Sequence, residues 1–119
     1  ELLSSGYSFV SYPLRVVIRL YPRGEKDFPA RIAVSVSKRR FKRAVKRNRV
    51  KRLIRETYRL NKNTLYSSIP EDKTMDILFI YLHDEIFEYG KIEKAITGAI
   101  KKIRSYIEKD SGGDIADTH

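Results

Sequence analysis

Two apolar segments near the start of the chain have the composition and spacing of β-strands. Residues 14–21 ("LRVVIRLY") are rich in β-branched residues, and residues 31–37 ("RIAVSVS") place aliphatic side chains at every second position. Such segments are typical of half-buried strands. Between them, residues 22–29 combine Pro and Gly with charged residues and predict a connecting loop. We expect the two strands to pair antiparallel.

The hydrophobic period changes after the second strand. Measured from Val50 at about 100° per residue, one arc of about 140° holds apolar or weakly polar side chains. These side chains are Leu53, Ile54, Thr57 and Tyr58. The opposite arc is almost entirely basic, which predicts an amphipathic helix from about residue 43 to 61. Arg47 falls at the edge of the apolar arc, so we expect its stem to lie along the core and its head outside.

The second half of the chain predicts one further strand and one further helix. Residues 61–74 are rich in Asn, Ser and Thr and predict a loop, whereas residues 75–82 ("MDILFIYL") are apolar almost throughout. A run of that kind is typical of a central strand buried on both faces. Residues 87–109 return to a helical period with one apolar stripe, formed by Ile92, Ile96, Ala99, Ile100, Ile103 and Ile107.

The termini complete the predicted organisation. Residues 1–6 ("ELLSSG") have the pattern of a last helical turn closed by Gly6, and residues 110–119 predict a disordered tail. The order is then helix–strand–strand–helix–strand–helix with one core and no internal repeat. We therefore expect a single α/β domain, of the α+β sandwich type, over residues 1–109.

The positive charge of the chain is concentrated in one stretch. The net charge is +10, yet residues 38–59 alone hold twelve of the 25 Lys and Arg residues and one of the 15 acidic residues. The rest of the chain, with 13 basic and 14 acidic residues, has a net charge of −1. A patch of this density on an ordered helix indicates recognition of a polyanion such as nucleic acid.

Other classes of function find little support in the sequence. There is no Cys for a disulfide framework or a Cys-based zinc site, and no apolar run reaches the length of a membrane span. No signal peptide is visible, so we expect a cytoplasmic protein. The "HDE" motif at 83–85 predicts a loop after the last strand rather than a metal site, and no Ser, His and Asp set predicts a nucleophile.

The stretch "KRAVKRNRVKRLIRETYR", with "AVSVSKR" before it, resembles the bacterial RNase P protein family. The motif formed by Arg47, Asn48 and Arg49 is similar to the "RNR" helix of that family. The resemblance follows nearly the whole chain in order. It implies a mixed sheet packed on helices, with a left-handed βαβ crossover that departs from the right-handed rule for parallel connections.

The resemblance also implies function and partners. The protein would be one subunit of a ribonucleoprotein endonuclease that matures the 5′ ends of tRNAs, with the active site in the RNA and no catalytic side chains. One protein would bind each catalytic RNA; no cofactor would be bound by the protein alone, and Mg²⁺ would enter through the RNA. The residues for which we expect RNA contacts are Lys38, Arg39, Arg40, Lys42, Arg43, Lys46, Arg47, Asn48, Arg49, Lys51, Arg52, Arg55 and Arg59.

A second partner implied by the resemblance is the 5′ leader of precursor tRNA, held in a cleft on the sheet. Single-stranded nucleic acid binds to aromatic or apolar platforms beside basic groups. The candidates in the first strand region are Phe9, Tyr12, Arg15 and Val17.

Alternatives to this hypothesis share its basic helix. A ribosomal protein or an RNA chaperone would also bind RNA tightly but would not support site-specific cleavage. A helix-turn-helix protein is disfavoured because a strand, not a helix, precedes the basic helix. A membrane-surface helix is disfavoured because the apolar arc is needed for the core.

Overall fold

The chain forms one mixed sheet and two helices in a computed structural model that describes residues 6–24 and 28–117, with side chains as far as residue 108. The elements are β1 (Gly6–Ser11), β2 (Leu14–Pro22), β3 (Ala30–Ser35), α1 (Ala44–Tyr66), β4 (Lys73–Tyr81) and α2 (Tyr89–Asp117). The expected α+β class is therefore confirmed.

The strand order differs from the order that the sequence predicts. The sheet runs β1-β2-β4-β3, with β4 antiparallel to β2 and parallel to β3. The expected antiparallel pairing of residues 14–21 with 31–37 is wrong, because β4 lies between these two strands. As the most apolar of the four strands, β4 takes a central position with a neighbour on each side. The β3–α1–β4 connection is the predicted βαβ unit; its left-handed sense stays a prediction.

One face of the sheet carries the core. Alternate residues of the two central strands are buried against the helices, namely Leu14, Val16 and Ile18 on β2 and Met75, Ile77, Phe79 and Tyr81 on β4. Tyr58 of α1 meets Phe79 edge-on, with ring centroids 5.9 Å apart. The opposite face of β4 is not fully covered among the described residues, since Leu78 and Ile80 stay half-buried. The expectation that β4 is buried on both faces is therefore wrong on this side.

Helix α1 follows the predicted period and continues beyond the predicted end. Val50, Ile54, Thr57 and Tyr58 are buried, and Leu65 is buried about two turns further along the same stripe. The helix therefore extends to Tyr66 through part of the expected loop at 61–74. Polar side chains there bond back to the helix backbone, because Asn61 Nδ2 donates to Thr57 O at 2.7 Å.

The two ends of the chain also differ from expectation. Gly6 begins β1, a strand that the sequence reasoning missed, and the rest of the predicted turn at 1–6 lies outside the described residues. Helix α2 carries its predicted isoleucine stripe in the core. Its backbone is helical to Asp117, where a disordered tail at 110–119 was expected. In the described part of the chain, neither helix is long and apolar enough to cross a membrane.

Candidate nucleic-acid interface

The basic residues of 38–59 form an exposed surface, which we call the basic surface. It comprises the loop between β3 and α1 and the polar face of α1 that follows it. Of the thirteen predicted RNA-contacting residues, only Arg47 and Lys51 are half-buried, and the other eleven are exposed. The structure thus brings them onto one continuous segment, while the contacts with RNA stay a prediction.

The loop that begins the basic surface has a fixed conformation. Phe41 is only 4% exposed, and its ring lies 6.0 Å from that of Tyr81 in the core. The backbone N–H of Phe41 donates to Ser37 O at 3.0 Å, which closes a turn. From α1, Arg47 Nη1 donates to Phe41 O at 2.8 Å and to Lys42 O at 3.0 Å. The neighbouring cations are therefore held in a defined geometry by an ordered loop.

Arg47 takes a structural position that refines its predicted role. The sequence predicts a stem along the core and an exposed head, and the side chain is indeed half-buried. Its guanidinium, however, already bonds to two loop carbonyls. Arg47 therefore positions the loop, whatever contact its remaining donors make.

The start of α1 is unusual in its charge. Its first turn holds no acidic residue, and its N-cap, Arg43, makes no side-chain capping hydrogen bond within the described structure. Helix N-termini carry a partial positive charge and unpaired N–H groups, so cations there are unfavourable in isolation. Arg43, Lys46 and Arg47 nevertheless occupy this end. An anion such as a phosphate would remove that cost, because it would face both the N–H groups and the cations.

The cations of the basic surface are largely uncompensated. A shallow groove follows the polar face of α1 and is lined by Asn48, Lys51, Arg52, Arg55, Glu56 and Arg59. Over residues 6–24 and 28–108, Arg40 alone among the cations of this surface forms an ion pair, with Asp84 at 2.8 Å. Uncompensated arginines suit a phosphate array, since each guanidinium can bond two phosphate oxygens at once.

A second candidate surface is the face of the sheet that lies away from the helices, which we call the open face. The register places Val17 beside Leu78, and Leu78 beside Ala33, so an apolar floor crosses three strands. Arg15 and Arg19 flank Val17 on β2 at alternate positions. An apolar floor edged by arginines fits the requirements of single-stranded nucleic acid.

The four predicted leader-binding residues do not share one surface. Arg15 and Val17 lie on the open face, whereas Phe9 pairs in register with the buried Val16 and therefore points to the helix side. There Lys102 Nζ lies 5.5 Å from the centroid of the Phe9 ring. Tyr12 lies in the turn between β1 and β2. Successive strand residues point to opposite faces, so the sequence could separate these residues only if β1 had been recognised.

The open face also holds charged residues that the sequence reasoning missed. Asp76 on β4 lies between two arginines, with Arg31 Nε 3.3 Å and Arg19 Nη2 3.8 Å from its carboxylate oxygens. Tyr21 donates to Asp76 Oδ1 at 2.9 Å and accepts a hydrogen bond from Arg31. Partial burial and the bond to Asp76 raise the pKa of Tyr21, so its phenol stays neutral. Arg15 and Arg19 alternate along β2 with the buried Val16 and Ile18. This alternation is the sequence signal that could have identified the open face.

The "HDE" motif lies in the loop after β4, as the sequence predicts. Asp84 accepts the bond from Arg40, and His83 Nδ1 lies 2.9 Å from the Tyr12 hydroxyl. Among the described residues, no group of three or more His, Asp or Glu side chains could hold a metal ion.

Comparison with known proteins gives one consistent result. The family model described as "Ribonuclease P" matches residues 1–104. The ribonuclease P protein component of Porphyromonas gingivalis is 43% identical over 103 residues, covering 86% of this chain and 74% of that protein. That of Chlorobaculum tepidum is 39% identical over 70 residues, covering 59% of this chain and 43% of that protein.

Solved structures show the same fold. The RNase P protein from Thermotoga maritima superposes with a TM-score of 0.61 at 23% identity, covering 85% of this chain and 86% of that one. The RNase P protein of Staphylococcus aureus gives a TM-score of 0.61 at 22% identity, covering 86% and 84%.

Proposed function

Because the chain belongs to the Ribonuclease P family, we propose that it is the protein component of a ribonucleoprotein endonuclease that matures the 5′ ends of tRNAs. Its partner is the RNA subunit of that enzyme, and the basic surface is the part of the protein that binds it. The observation that carries this assignment is the ordered array of largely exposed cations on α1 and the preceding loop, of which Arg40 alone forms an ion pair among the described residues.

The physical argument for RNA binding is electrostatic. Like charges four residues apart on a helix, such as Lys51 with Arg55 and Arg55 with Arg59, destabilise the free helix by a few tenths of a kcal/mol per pair. When a polyanion binds, each cation that meets a phosphate contributes favourably to the binding free energy, because a counterion is released from the phosphate backbone. The thirteen predicted contact residues on the loop and α1 suit this partner.

We propose further that the open face receives the 5′ leader of precursor tRNA. Val17, Leu78 and Ala33 provide the apolar floor, and Arg15 and Arg19 provide cations beside it. Of the four leader candidates named from the sequence, Arg15 and Val17 fit this site. Phe9, on the helix side, and Tyr12, in the turn, do not belong to it.

In this proposal the chemistry belongs to the RNA. Family membership supports an endoribonuclease ribonucleoprotein. We propose that its catalytic groups and Mg²⁺ are held by the RNA, with one protein bound to each RNA and with the complex in the cytoplasm. The protein's contribution is then to fix the RNA through the basic surface and to hold the substrate leader near the cleavage site.

The leader assignment is tested by substrate binding to the reconstituted complex. The dissociation constant is measured for a precursor tRNA with a leader of several nucleotides and for the same tRNA without a leader. We expect tighter binding of the precursor, and we expect Arg15→Gln to reduce that preference. A matched control, Lys101→Gln, removes a positive charge from an exposed position on α2.

The two proposals fail in different ways. Equal binding of the two tRNAs, or an Arg15→Gln variant that behaves like Lys101→Gln, would remove the leader from the open face. The assignment of the basic surface to the RNA subunit would survive that result. A protein that binds the RNA but never alters cleavage would instead belong with ribosomal proteins or RNA chaperones.

A further inference from the structure

A cluster of aromatic rings lies outside both surfaces described above. A depression at the turn between β1 and β2 is lined by Tyr12, Pro13, Phe87, Lys91 and Lys94. We call it the aromatic pocket. It combines two rings with two lysines, and neither the basic surface nor the open face includes it.

The two rings of the pocket, Tyr12 and Phe87, are held in place by His83, which lies beside the lining. His83 stacks on Phe87 with centroids 4.2 Å apart and planes 28° apart. Tyr12 meets both rings edge-on, at 6.0 Å from His83 and 6.2 Å from Phe87. The hydrogen bond between the Tyr12 hydroxyl and His83 Nδ1 fixes the orientation of the Tyr12 ring. The platform is therefore formed before any ligand binds.

Core packing does not account for Tyr12. Tyr12 is 58% exposed, so much of its surface stays free beside Phe87. A cation stands beside the rings, because Lys91 Nζ lies 4.8 Å from the centroid of Phe87. Exposed rings next to lysines are the features with which proteins hold unpaired nucleotides: the ring stacks on the base and the cation meets the phosphate.

The position of the pocket joins it to the basic surface. In the register of the sheet, Leu14 pairs with Tyr81 and Ser35 pairs with Ile80, so the pocket lies at the end of the sheet where β3 leads into the basic loop. The loop after β4 connects the two directly, because Asp84 binds Arg40 at 2.8 Å and His83 is its neighbour in the chain. An RNA on the basic surface can therefore extend into the pocket.

We propose that the aromatic pocket binds an unpaired base of the RNA subunit, stacked on Tyr12 or Phe87, with the adjoining phosphate at Lys91 and Lys94. This inference rests on the proposed function, since the same RNA occupies the basic surface. Stacking accepts any base because every base has a π-face. The pocket therefore adds affinity and fixes a strand without reading its sequence.

Binding to the RNA subunit tests the pocket through matched substitutions. We expect Tyr12→Leu to weaken binding by about 5- to 150-fold, the loss typical of one stacked base. Tyr12→Phe keeps the ring and should keep most of the affinity. Phe28→Leu is the control, because Phe28 is an aromatic residue outside the pocket that is 68% exposed.

Salt dependence separates a stacked base from a phosphate contact. Tyr12→Leu should leave the slope of log Kobs against log[salt] unchanged, whereas Lys91→Gln should lower it by about 0.7–0.9. Ultraviolet cross-linking of the wild-type complex should attach a nucleotide to the peptide containing Tyr12 or Phe87. If the cross-links are confined to the basic surface and Tyr12→Leu binds the RNA as tightly as Phe28→Leu, the proposal for the aromatic pocket is overturned and the proposed function stands. Failure of the wild-type protein to bind the RNA would overturn the proposed function as well.

Discussion

Removing two arginines from the polar face of α1 tests the electrostatic argument most sharply. Arg49 and Arg52 are both exposed, and both positions lie within α1, so alanine there stays in a helical backbone. Alanine has the highest helix propensity, and the substitution also relieves repulsion between like charges. We therefore expect Arg49→Ala/Arg52→Ala to change the free energy of unfolding by less than about 0.5 kcal/mol.

The effect on RNA affinity can be estimated from counterion release. Each lost phosphate contact lowers the slope of log Kobs against log[salt] by about 0.7–0.9, so the double variant should lose about 1.4–1.8. If the variant and the wild type are taken to bind equally at 1 M salt, this difference in slope corresponds to an affinity loss of about 15- to 30-fold at a salt concentration of about 0.15 M.

The assay is a titration of the RNA subunit with labelled protein at several salt concentrations, together with urea unfolding of each variant. Lys101→Ala serves as control, because it removes a positive charge from an exposed position on the other helix. Its salt slope should equal that of the wild type. A double variant with normal stability and an unchanged slope would refute the reasoning, since its arginines would then contact no phosphate.

Two further predictions concern residues that support the interface. Arg47→Leu removes both hydrogen bonds that Nη1 donates to the loop carbonyls, so we expect the free energy of unfolding to fall by about 1–3 kcal/mol; unchanged stability with a salt slope lowered by about 0.7–0.9 would assign Arg47 to the RNA alone. The buried Tyr58 hydroxyl makes no hydrogen bond of normal geometry in the described structure, although the Tyr66 side chain lies near it, whereas that of Tyr81 donates to Glu85 O and accepts from Phe87 N. Urea unfolding should show that Tyr58→Phe is neutral or stabilising and that Tyr81→Phe costs about 1–3 kcal/mol; equal effects would contradict this difference.

The sequence carries most of the information that defines α1. Its apolar stripe has a helical period, and its cations are dense enough to predict a basic face without a structure. The same period, continued, would have predicted the buried Leu65 and the true end of the helix. The error there came from the polar residues at 61–64, which are usually typical of loops but here bond to the helix backbone.

Strand order and surface assignments are harder to predict, because they depend on contacts distant in the chain. Nothing in residues 14–21 or 31–37 says that β4 will lie between them. Missing β1 also hid the fact that Phe9 and Val17 face opposite ways. The aromatic pocket joins Tyr12 to His83 across 71 positions, and no local pattern indicates that pairing.

The most direct test of the account is 5′ processing of a precursor tRNA by a bacterial ribonuclease P RNA at low magnesium, with and without this protein. We expect the protein to restore cleavage at the correct 5′ position, and we expect Arg49→Ala/Arg52→Ala to do so only at higher protein concentration. Tight binding of the RNA with no change in the rate or site of cleavage would contradict it.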